Sequence, residues 1–161
     1  MILRRLPSES EGTPLRCYDT VCATMSPVRV VLDTNVLVST FRSREGVAFR
    51  LISLLREGRF DISVSVPLVL EYEDVLLRAT SLDREDILAV LRFLCSVAHQ
   101  QKIFYLWRPF LPDPKDDMVL ELAVASQARY VVTYNGKDFG AAQRFGLQVL
   151  TPKAFLDVIG G

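Results

Sequence analysis

The sequence predicts an α/β domain with three layers, in which helices cover both faces of a mostly parallel central sheet. Two observations lead to this prediction. Short β-branched or apolar runs alternate with helical patterns from residue 28 onward, and 161 residues with 50% hydrophobic content suffice for one continuous core. In such a sheet right-handed crossovers bring the carboxyl ends of all strands to one edge, where ligand sites lie.

The first half of the domain begins with the β-branched run 28–33, which ends in an acidic residue. This pattern predicts a strand buried on both faces at the centre of the sheet. Apolar periodicity, together with the Gly and Pro positions, predicts the next elements. They are helices at 34–40 and 47–56 with a break at 43–46, a strand at 60–66, and helices from Pro67 to about Arg78 and at 83–99.

In the second half, Asp113 followed by Pro114 is a typical helix start, and the helix it opens is apolar almost all round and therefore buried. The remaining elements follow from alternation and turn residues. They are strands at 102–107, 129–133 and 147–150, helices at 115–127 and 137–143, and a last helix capped by Thr151-Pro152.

Composition excludes several classes of protein. The 19 basic residues balance the 19 acidic ones, so any nucleic-acid contact must be local instead of arising from a global positive field. The three cysteines form no CxxC pair, which favours a reducing cytoplasm over a disulfide-stapled secreted domain. No run approaches the roughly 18 uncharged apolar residues that a membrane span requires.

Residues 1–24 differ in character from the rest of the chain. Ser, Glu, Gly, Pro and Arg interrupt every apolar stretch, so this segment lacks the apolar region of a secretory signal and is predicted to be a disordered leader. Met25 immediately precedes the first predicted strand. We therefore expect the folded domain to span residues 25–161, with Met25 as an alternative translation start.

Acidic residues recur where strands end and helices begin. Asp33 ends the first predicted strand and so lies at the ligand-binding edge, although it can equally cap the helix that follows. Glu71 occupies the second turn of a helix whose long side chains lean back toward the same edge. Its neighbours Glu73 and Asp74 are explained by the helix dipole alone.

Three further aspartates crowd the start of the helix at 115–127. Asp113 can cap it and Asp116 can complete a capping box, whereas Asp117 has no such structural duty and would be costly to bury without a cation or donors. Asp138 follows the strand at 129–133 and can supply a carboxylate to the same edge or cap the short helix at 139–143.

Carboxylates that converge in this way repel one another unless a divalent cation neutralises them, and hard oxygen ligands suit Mg²⁺ or Mn²⁺. Such ions activate water for in-line attack on phosphorus. The chain has a single histidine and neither a GxSxG nor a GxxxxGK[ST] motif, so no serine-based or phosphate-loop site competes. Metal-assisted phosphodiester hydrolysis is the predicted chemistry.

Several segments together resemble the PIN domain family. They are VVLDTNVLVS at 30–39, the helix bearing Glu71, DPKDDMVLELAVASQARYVVTYNGKDF at 113–139, and LTPKAFL at 150–156. The resemblance covers about residues 28–158 and is strongest to the PIN proteins assigned as toxins of bacterial toxin–antitoxin systems, relatives of VapC. It implies a Rossmann-like α/β/α fold, RNA cleavage, a cognate antitoxin that inhibits the enzyme, and frequent homodimers.

By this resemblance, Asp33, Glu71 and Asp117 fall on the family's metal-binding acids, with Asp116 as an alternate to Asp117. Asp138 falls on a fourth acid. Because this chain has Asn135 where many relatives place an acid after the threonine, either Asp138 alone supplies the fourth ligand or that ligand is lost. Polar support is assigned to Asn35, Thr133 and Asn135.

Four basic residues flank the predicted edge and are candidates for contact with RNA phosphates. They are Arg42, Arg44, Lys137 and Arg144. The leading prediction is a toxin-type endoribonuclease that uses Mg²⁺ or Mn²⁺. The alternatives are a catalytically weak PIN domain that binds RNA or protein, and a nuclease directed at DNA.

Overall fold

The computed structural model describes residues 27–43, 45–104 and 110–160. Its strands are β1 Arg29–Leu32, β2 Asp61–Val64, β3 His99–Gln100, β4 Tyr130–Val132 and β5 Gln148–Leu150. All pair in parallel in a five-stranded sheet of order β3-β2-β1-β4-β5. The predicted α/β class with a parallel central sheet is confirmed, and β1 lies at its centre as expected.

Helices connect and cover the strands. They are α1 Thr34–Arg42, α2 Val47–Arg56, α3 Val66–Ala79, α4 Arg84–Val97, α5 Pro114–Ala125 and α6 Pro152–Ile159, together with a 3₁₀ segment at Gly136–Phe145. Helix α1 packs on α2 and α3, α3 on α4, and α6 on α2, whereas α5 contacts β1, β2, β4 and the 3₁₀ segment. With right-handed crossovers these groups cover opposite faces of the sheet.

The direction of winding reverses beside β1. The chain runs outward from β1 through β2 to β3, and then returns to place β4 on the other side of β1. In open parallel sheets such a reversal opens a crevice at the carboxyl ends of the two strands, which is where ligands bind. The register pairs Leu32 with Val132, so Asp33 and Thr133 leave the sheet side by side at this crevice.

Strands β1 and β4 contain almost only apolar residues because both lie in the buried core. Val30, Val31, Leu32, Val131 and Val132 are all buried, as required for strands covered on both faces. Because every residue of these segments is packed, the position at which each strand ends is well defined. The polar residues that follow are therefore held by a rigid base.

One prediction of secondary structure was wrong. The short strand predicted at 102–107 is absent from residues 102–104, which have no regular structure, and residues 105–107 lie outside the described part of the chain. The strand of this region is β3 at His99–Gln100. Its two polar, exposed residues carry no apolar alternation, and the helix predicted to reach residue 99 ends at Val97 to allow this strand to pair with β2. The short helix predicted at 137–143 is a longer 3₁₀ segment.

The predicted leader at 1–24 and the alternative start at Met25 lie outside the described residues, as does 105–109. Within the parts of the chain that the structure describes, no helix is long and apolar enough to cross a bilayer.

A buried tyrosine ties α3 to the centre of the sheet. The Tyr72 hydroxyl donates a hydrogen bond of 2.5 Å to the carbonyl oxygen of Leu32, the last residue of β1. Burial, followed by the charge of Asp33, raises the pKa of Tyr72 well above its usual value, so the hydroxyl stays protonated and remains a donor. This contact fixes the second turn of α3 next to the residue that precedes Asp33.

Replacing Tyr72 by Phe should lower the free energy of unfolding by about 1–2 kcal/mol, because the buried Leu32 carbonyl loses its side-chain donor. Urea denaturation of purified protein measures this loss. The matched control is Tyr134→Phe, which removes an exposed hydroxyl 3.4 Å from Ser39 Oγ and should change stability by less than about 0.5 kcal/mol. Equal losses in the two variants would show that the Tyr72 hydroxyl does not tie α3 to β1.

Candidate active site

Asp33 lies buried at the crevice between β1 and β4. It occupies the N-cap position of α1 but makes no side-chain capping hydrogen bond, so the alternative of a helix-capping carboxylate is not what the structure shows. Instead Asn35 Nδ2 and Thr133 Oγ1 both donate to Asp33 Oδ2, each at 2.6 Å. Oδ1 receives no side-chain donor from the described residues.

The electrostatic state of Asp33 reflects two opposing effects. Burial raises the pKa of Asp33, whereas the hydrogen bond from Thr133, the backbone N–H groups of Thr34 and Asn35, and the Asn35 side chain lower it. Burial is the larger effect. A buried carboxylate of this kind gains from a nearby cation, because the cation offsets the lost hydration of the charged form.

Thr133 connects the two strands through its hydroxyl. It is completely buried, donates to Asp33, and accepts hydrogen bonds from Asn35 Nδ2 at 3.1 Å and from the Asn135 backbone N–H at 2.9 Å. Asn35 Oδ1 in turn accepts from the Tyr134 backbone N–H at 3.2 Å. This network holds the turn after β4 against the start of α1, with Asp33 between them.

The Asp117 carboxylate has a structural role, contrary to the expectation from the sequence. Its buried carboxylate accepts the backbone N–H groups of Phe110 and Leu111 at distances between 2.8 and 3.2 Å. The loop before α5 leaves these N–H groups without a partner in regular structure, and an unpaired buried N–H is costly. The expectation that Asp117 carries no structural role was therefore wrong.

Asp116 occupies a different environment one position earlier. The predicted capping box is absent among the described residues, because the Asp113 carboxylate accepts only the Lys115 N–H and the Asp116 carboxylate makes no hydrogen bond there. Burial raises the pKa of Asp116 to about 6, and four neighbouring carboxylates add to the shift. In decreasing order of effect they are Asp33, Asp113, Asp138 and Asp117. We call these five residues the acid cluster.

The structure brings Asp138 into this cluster but does not do the same for Glu71. Asp138 is half-buried in the first turn of the 3₁₀ segment, where its charge acts on Asp116. Glu71 is half-buried in the second turn of α3, as predicted, and is not among the charges that raise the pKa of Asp116. The residue after it, Tyr72, is within electrostatic reach of Asp33.

The candidate phosphate-binding residues are exposed. Arg42 ends α1, whereas Lys137 and Arg144 belong to the 3₁₀ segment. Within the described part of the chain none of these three forms an ion pair, so their charges are available to a ligand. Arg44 lies outside the described residues.

The donor set fits a hydrated divalent cation. Every candidate ligand is an oxygen, and a cation would relieve the repulsion that raises the pKa of Asp116. Among the described residues, however, no group of three His, Cys, Asp or Glu side chains is spaced to bind one ion directly. Mg²⁺ usually keeps several waters and uses one or two carboxylates, so this spacing suits an ion held partly through water.

Comparison with known protein families shows to which family this chain belongs. The sequence model of the PIN domain family matches residues 29–137. This range contains Glu71 and four of the five residues of the acid cluster, all but Asp138. This chain belongs to the PIN domain family. A search of curated proteins found no match.

Solved structures share the fold of this PIN domain. A VapBC2 structure from Rickettsia felis bound to a promoter DNA fragment has a TM-score of 0.53 and 17% identity, and the match covers 76% of this chain and 97% of that one. VapBC-1 from nontypeable Haemophilus influenzae has a TM-score of 0.55 and 18% identity, covering 78% and 99% of the two chains. DNA-bound VapBC from Salmonella typhimurium has a TM-score of 0.54 and 19% identity, covering 78% and 98%.

Sequence reasoning missed two features of the site in this PIN domain. Asp113 was assigned only to capping, but its charge also acts on Asp116. The exposed aromatic residues Phe110, Tyr134 and Phe145 were not singled out, because an isolated aromatic near a turn has the same pattern as a packed one. The run of Asp residues around 113–117 is the signal that could have identified the first.

Measurements of the free energy of unfolding can distinguish the roles of Asp116 and Asp117. Asp117→Ala should lower the free energy of unfolding by about 2–4 kcal/mol, because it leaves the Phe110 and Leu111 N–H groups without an acceptor. Asp116→Ala should not lower it, because the carboxylate makes no hydrogen bond within the described residues. Chemical denaturation at pH 7.5 without divalent metal measures both. Equal destabilisation by the two substitutions would contradict this assignment.

The raised pKa of Asp116 predicts a pH-dependent stability in metal-free protein. Between its ordinary value of 3.8 and about 6, the folded state binds more protons than the unfolded state, so this residue makes stability fall as pH rises through that range. Above it, ionised Asp116 destabilises the fold. Asp116→Asn should therefore raise the free energy of unfolding at pH 7.5 by about 1 kcal/mol after solvent screening.

The gain from Asp116→Asn should shrink strongly near pH 4, because Asp116 is protonated there in the folded state and about half protonated in the unfolded state. Denaturation of wild type and variant in chelator at pH 4 and 7.5 tests this. A gain that is the same at both pH values, or a loss at pH 7.5, would show that repulsion within the acid cluster is not the cause.

Proposed function

We propose that this PIN domain is a divalent-metal-dependent endoribonuclease and the toxin of a toxin–antitoxin pair. The observation that carries the proposal is the acid cluster, in which Asp33 and acids of α5 and the 3₁₀ segment lie near enough to Asp116 to add to the effect of burial, which raises its pKa to about 6. A cluster of like charges is retained at a cost in stability, which favours a functional role over a structural one.

The residues of the proposed site have two roles, namely metal binding and the positioning of other groups. Asp33, Asp116 and Asp138 have carboxylate oxygens available and would hold Mg²⁺ or Mn²⁺, with Glu71 approaching from α3. Asn35 and Thr133 orient Asp33, and Asp117 positions the start of α5 through the backbone of Phe110 and Leu111. When bound, the cation supplies charge neutralisation and a water polarised for in-line attack on phosphorus.

The remaining parts of the proposal concern substrate and partners. Arg42, Lys137 and Arg144 would contact RNA phosphates, with Arg44 and the Asn135 side chain as further candidates. A cognate antitoxin is supported by the solved neighbours, which are VapBC structures. A homodimer and a cytoplasmic location are part of the same proposal.

A second candidate is a catalytically weak PIN domain that binds RNA or a protein partner. One observation favours it, namely that no three ligands within the described residues are spaced for direct binding of a single ion. The complete set of acids favours the enzyme instead. Activity measurements separate the two.

Wild-type protein should cleave a mixed RNA pool in Mg²⁺ or Mn²⁺ and not in chelator. Asp33→Asn should reduce cleavage at least about 100-fold, because the buried carboxylate is the best-positioned metal ligand in the cluster. Asp116→Asn should do the same. The matched control is Asp74→Asn, an exposed acid on α3 paired with Arg78, which should leave cleavage unchanged.

Other outcomes of this cleavage assay would each point to a different alternative. If wild type binds RNA without cutting it in any metal, the binding-module candidate replaces the enzyme. If single-stranded DNA is cut while RNA is not, the metal site stands and the assigned substrate is wrong. Full activity of Asp33→Asn would contradict the proposed site itself.

A further inference from the structure

An apolar groove lies between the start of α3, the end of α4 and the segment that follows β3. Its volume is about 760 Å³, within the range of sites that bind small molecules. Three apolar side chains on its wall are open to solvent, with Val66 73%, Leu70 59% and Phe104 80% exposed. Val69 and Ile103 extend this wall. Exposed apolar side chains that gather in one concave place indicate a binding site.

The groove is separate from the acid cluster. Val66 and Leu70 lie one turn apart on the same side of α3, whereas Glu71 is rotated by about 100° from Leu70. Among the described residues that line the groove there is no member of the acid cluster, and Glu71 is not one of them either. The groove is therefore a second candidate site, which shares only helix α3 with the candidate active site.

Ser65 contributes a buried hydroxyl that lacks a partner. The residue lines the groove and is 4% exposed, and its Oγ makes no hydrogen bond within the described part of the chain. Although Ser65 is the N-cap residue of α3, its side chain does not cap the helix. A buried hydroxyl without a partner is costly, so an acceptor that enters the groove would offset this cost. The first-turn N–H groups of α3 also favour a negatively charged group here.

The charge of the groove favours an anion as well. Lys102 lines the groove, is exposed, and forms no ion pair among the described residues, and no acidic side chain among them lines the groove. Burial raises the pKa of the Cys95 thiol, so Cys95 stays neutral and adds to the apolar wall. One cation and one hydroxyl donor match a single carboxylate better than a doubly charged phosphate.

We propose that this groove binds an amphiphilic carboxylate, a small molecule with one carboxylate and an unbranched alkyl chain, as in a medium-chain fatty acid. The carboxylate accepts hydrogen bonds from Ser65 Oγ and Lys102 Nζ, and the alkyl chain packs on Val66, Leu70 and Phe104. The inference does not depend on the proposed ribonuclease function, because none of the residues assigned to that function lines the groove.

Isothermal titration calorimetry of the full chain with sodium decanoate, below its micelle-forming concentration, tests the proposal. We expect saturable binding of one ligand per chain. Octanoate should bind roughly fivefold to tenfold more weakly than decanoate, because two fewer methylene groups are buried. Decyltrimethylammonium has the same alkyl chain with the opposite charge, and it should bind at least about tenfold more weakly.

Three substitutions test the assigned contacts. Ser65→Ala and Lys102→Gln should each weaken decanoate binding about fivefold, and Leu70→Ser about tenfold. Ser65→Ala should not lower the free energy of unfolding, because the hydroxyl has no partner to lose. The matched controls are Lys153→Gln, at an exposed position of α6, and Leu77→Ser, at a position of α3 that is 42% exposed outside the groove. Both controls should bind decanoate like wild type.

Cys95 gives a second readout in the same protein, because its side chain lines the groove. Decanoate should slow the alkylation of Cys95 by iodoacetamide, measured by mass spectrometry of peptides. Cys17 and Cys22 in the same digest report any change in the reactivity of the reagent itself.

Three outcomes would overturn the proposal. The first is the absence of saturable decanoate binding, or unchanged alkylation of Cys95 at saturation. The second is equal affinity for decanoate and decyltrimethylammonium, or equal decanoate affinity of wild type, Ser65→Ala and Lys102→Gln, because the groove would then recognise no carboxylate. The third, measured by analytical ultracentrifugation, is a dimer that Leu70→Ser dissociates and decanoate leaves intact, because a second copy of the chain would then cover the groove.

Discussion

The hydrogen bond from the Thr133 hydroxyl to Asp33 joins the ends of two strands that are distant in the sequence and adjacent in the sheet. It lies at the point where the winding of the sheet reverses, which is also where the crevice opens. Asn35 completes the contact by donating to both residues. If these side chains were not held together, the first carboxylate of the site would have no defined position relative to the others.

The other acids of the cluster belong to elements that pack against these two strands. Helix α5 contacts β1 and β4 and brings Asp116 to the crevice, while the turn after β4 brings Asp138. The fold thereby concentrates like charges in a partly buried space, at a cost that a cation can offset. Under the proposed function, the repulsion that lowers the stability of the metal-free protein would also favour the binding of a divalent ion.

Much of this arrangement could be predicted from residue patterns. The apolar runs of β1 and β4 show strands buried on both faces, so the polar residues that follow, Asp33 and Thr133, had to lie at the same edge. The order of elements also predicted the class of sheet. These features depend on local periodicity and on general rules of chain topology, both of which can be read from one sequence.

Other features depend on tertiary contacts that no local pattern encodes. Asp116 and Asp117 are adjacent at a helix start, and which of them faces the crevice is decided by a loop whose N–H groups need a buried acceptor. Strand β3 consists of two polar residues that pair only because β2 lies beside them.

The central claim is that the acid cluster binds a divalent cation through Asp33 and Asp116. Crystals grown with Mn²⁺ test it most directly, by anomalous diffraction that locates the ion. The account predicts one peak in the crevice between β1 and β4, with a carboxylate oxygen of Asp33 or Asp116 about 2.0–2.2 Å away or bridged by one water. A crevice with no peak at saturating Mn²⁺, or an ion bound by Asp117 in place of Asp116, would contradict it.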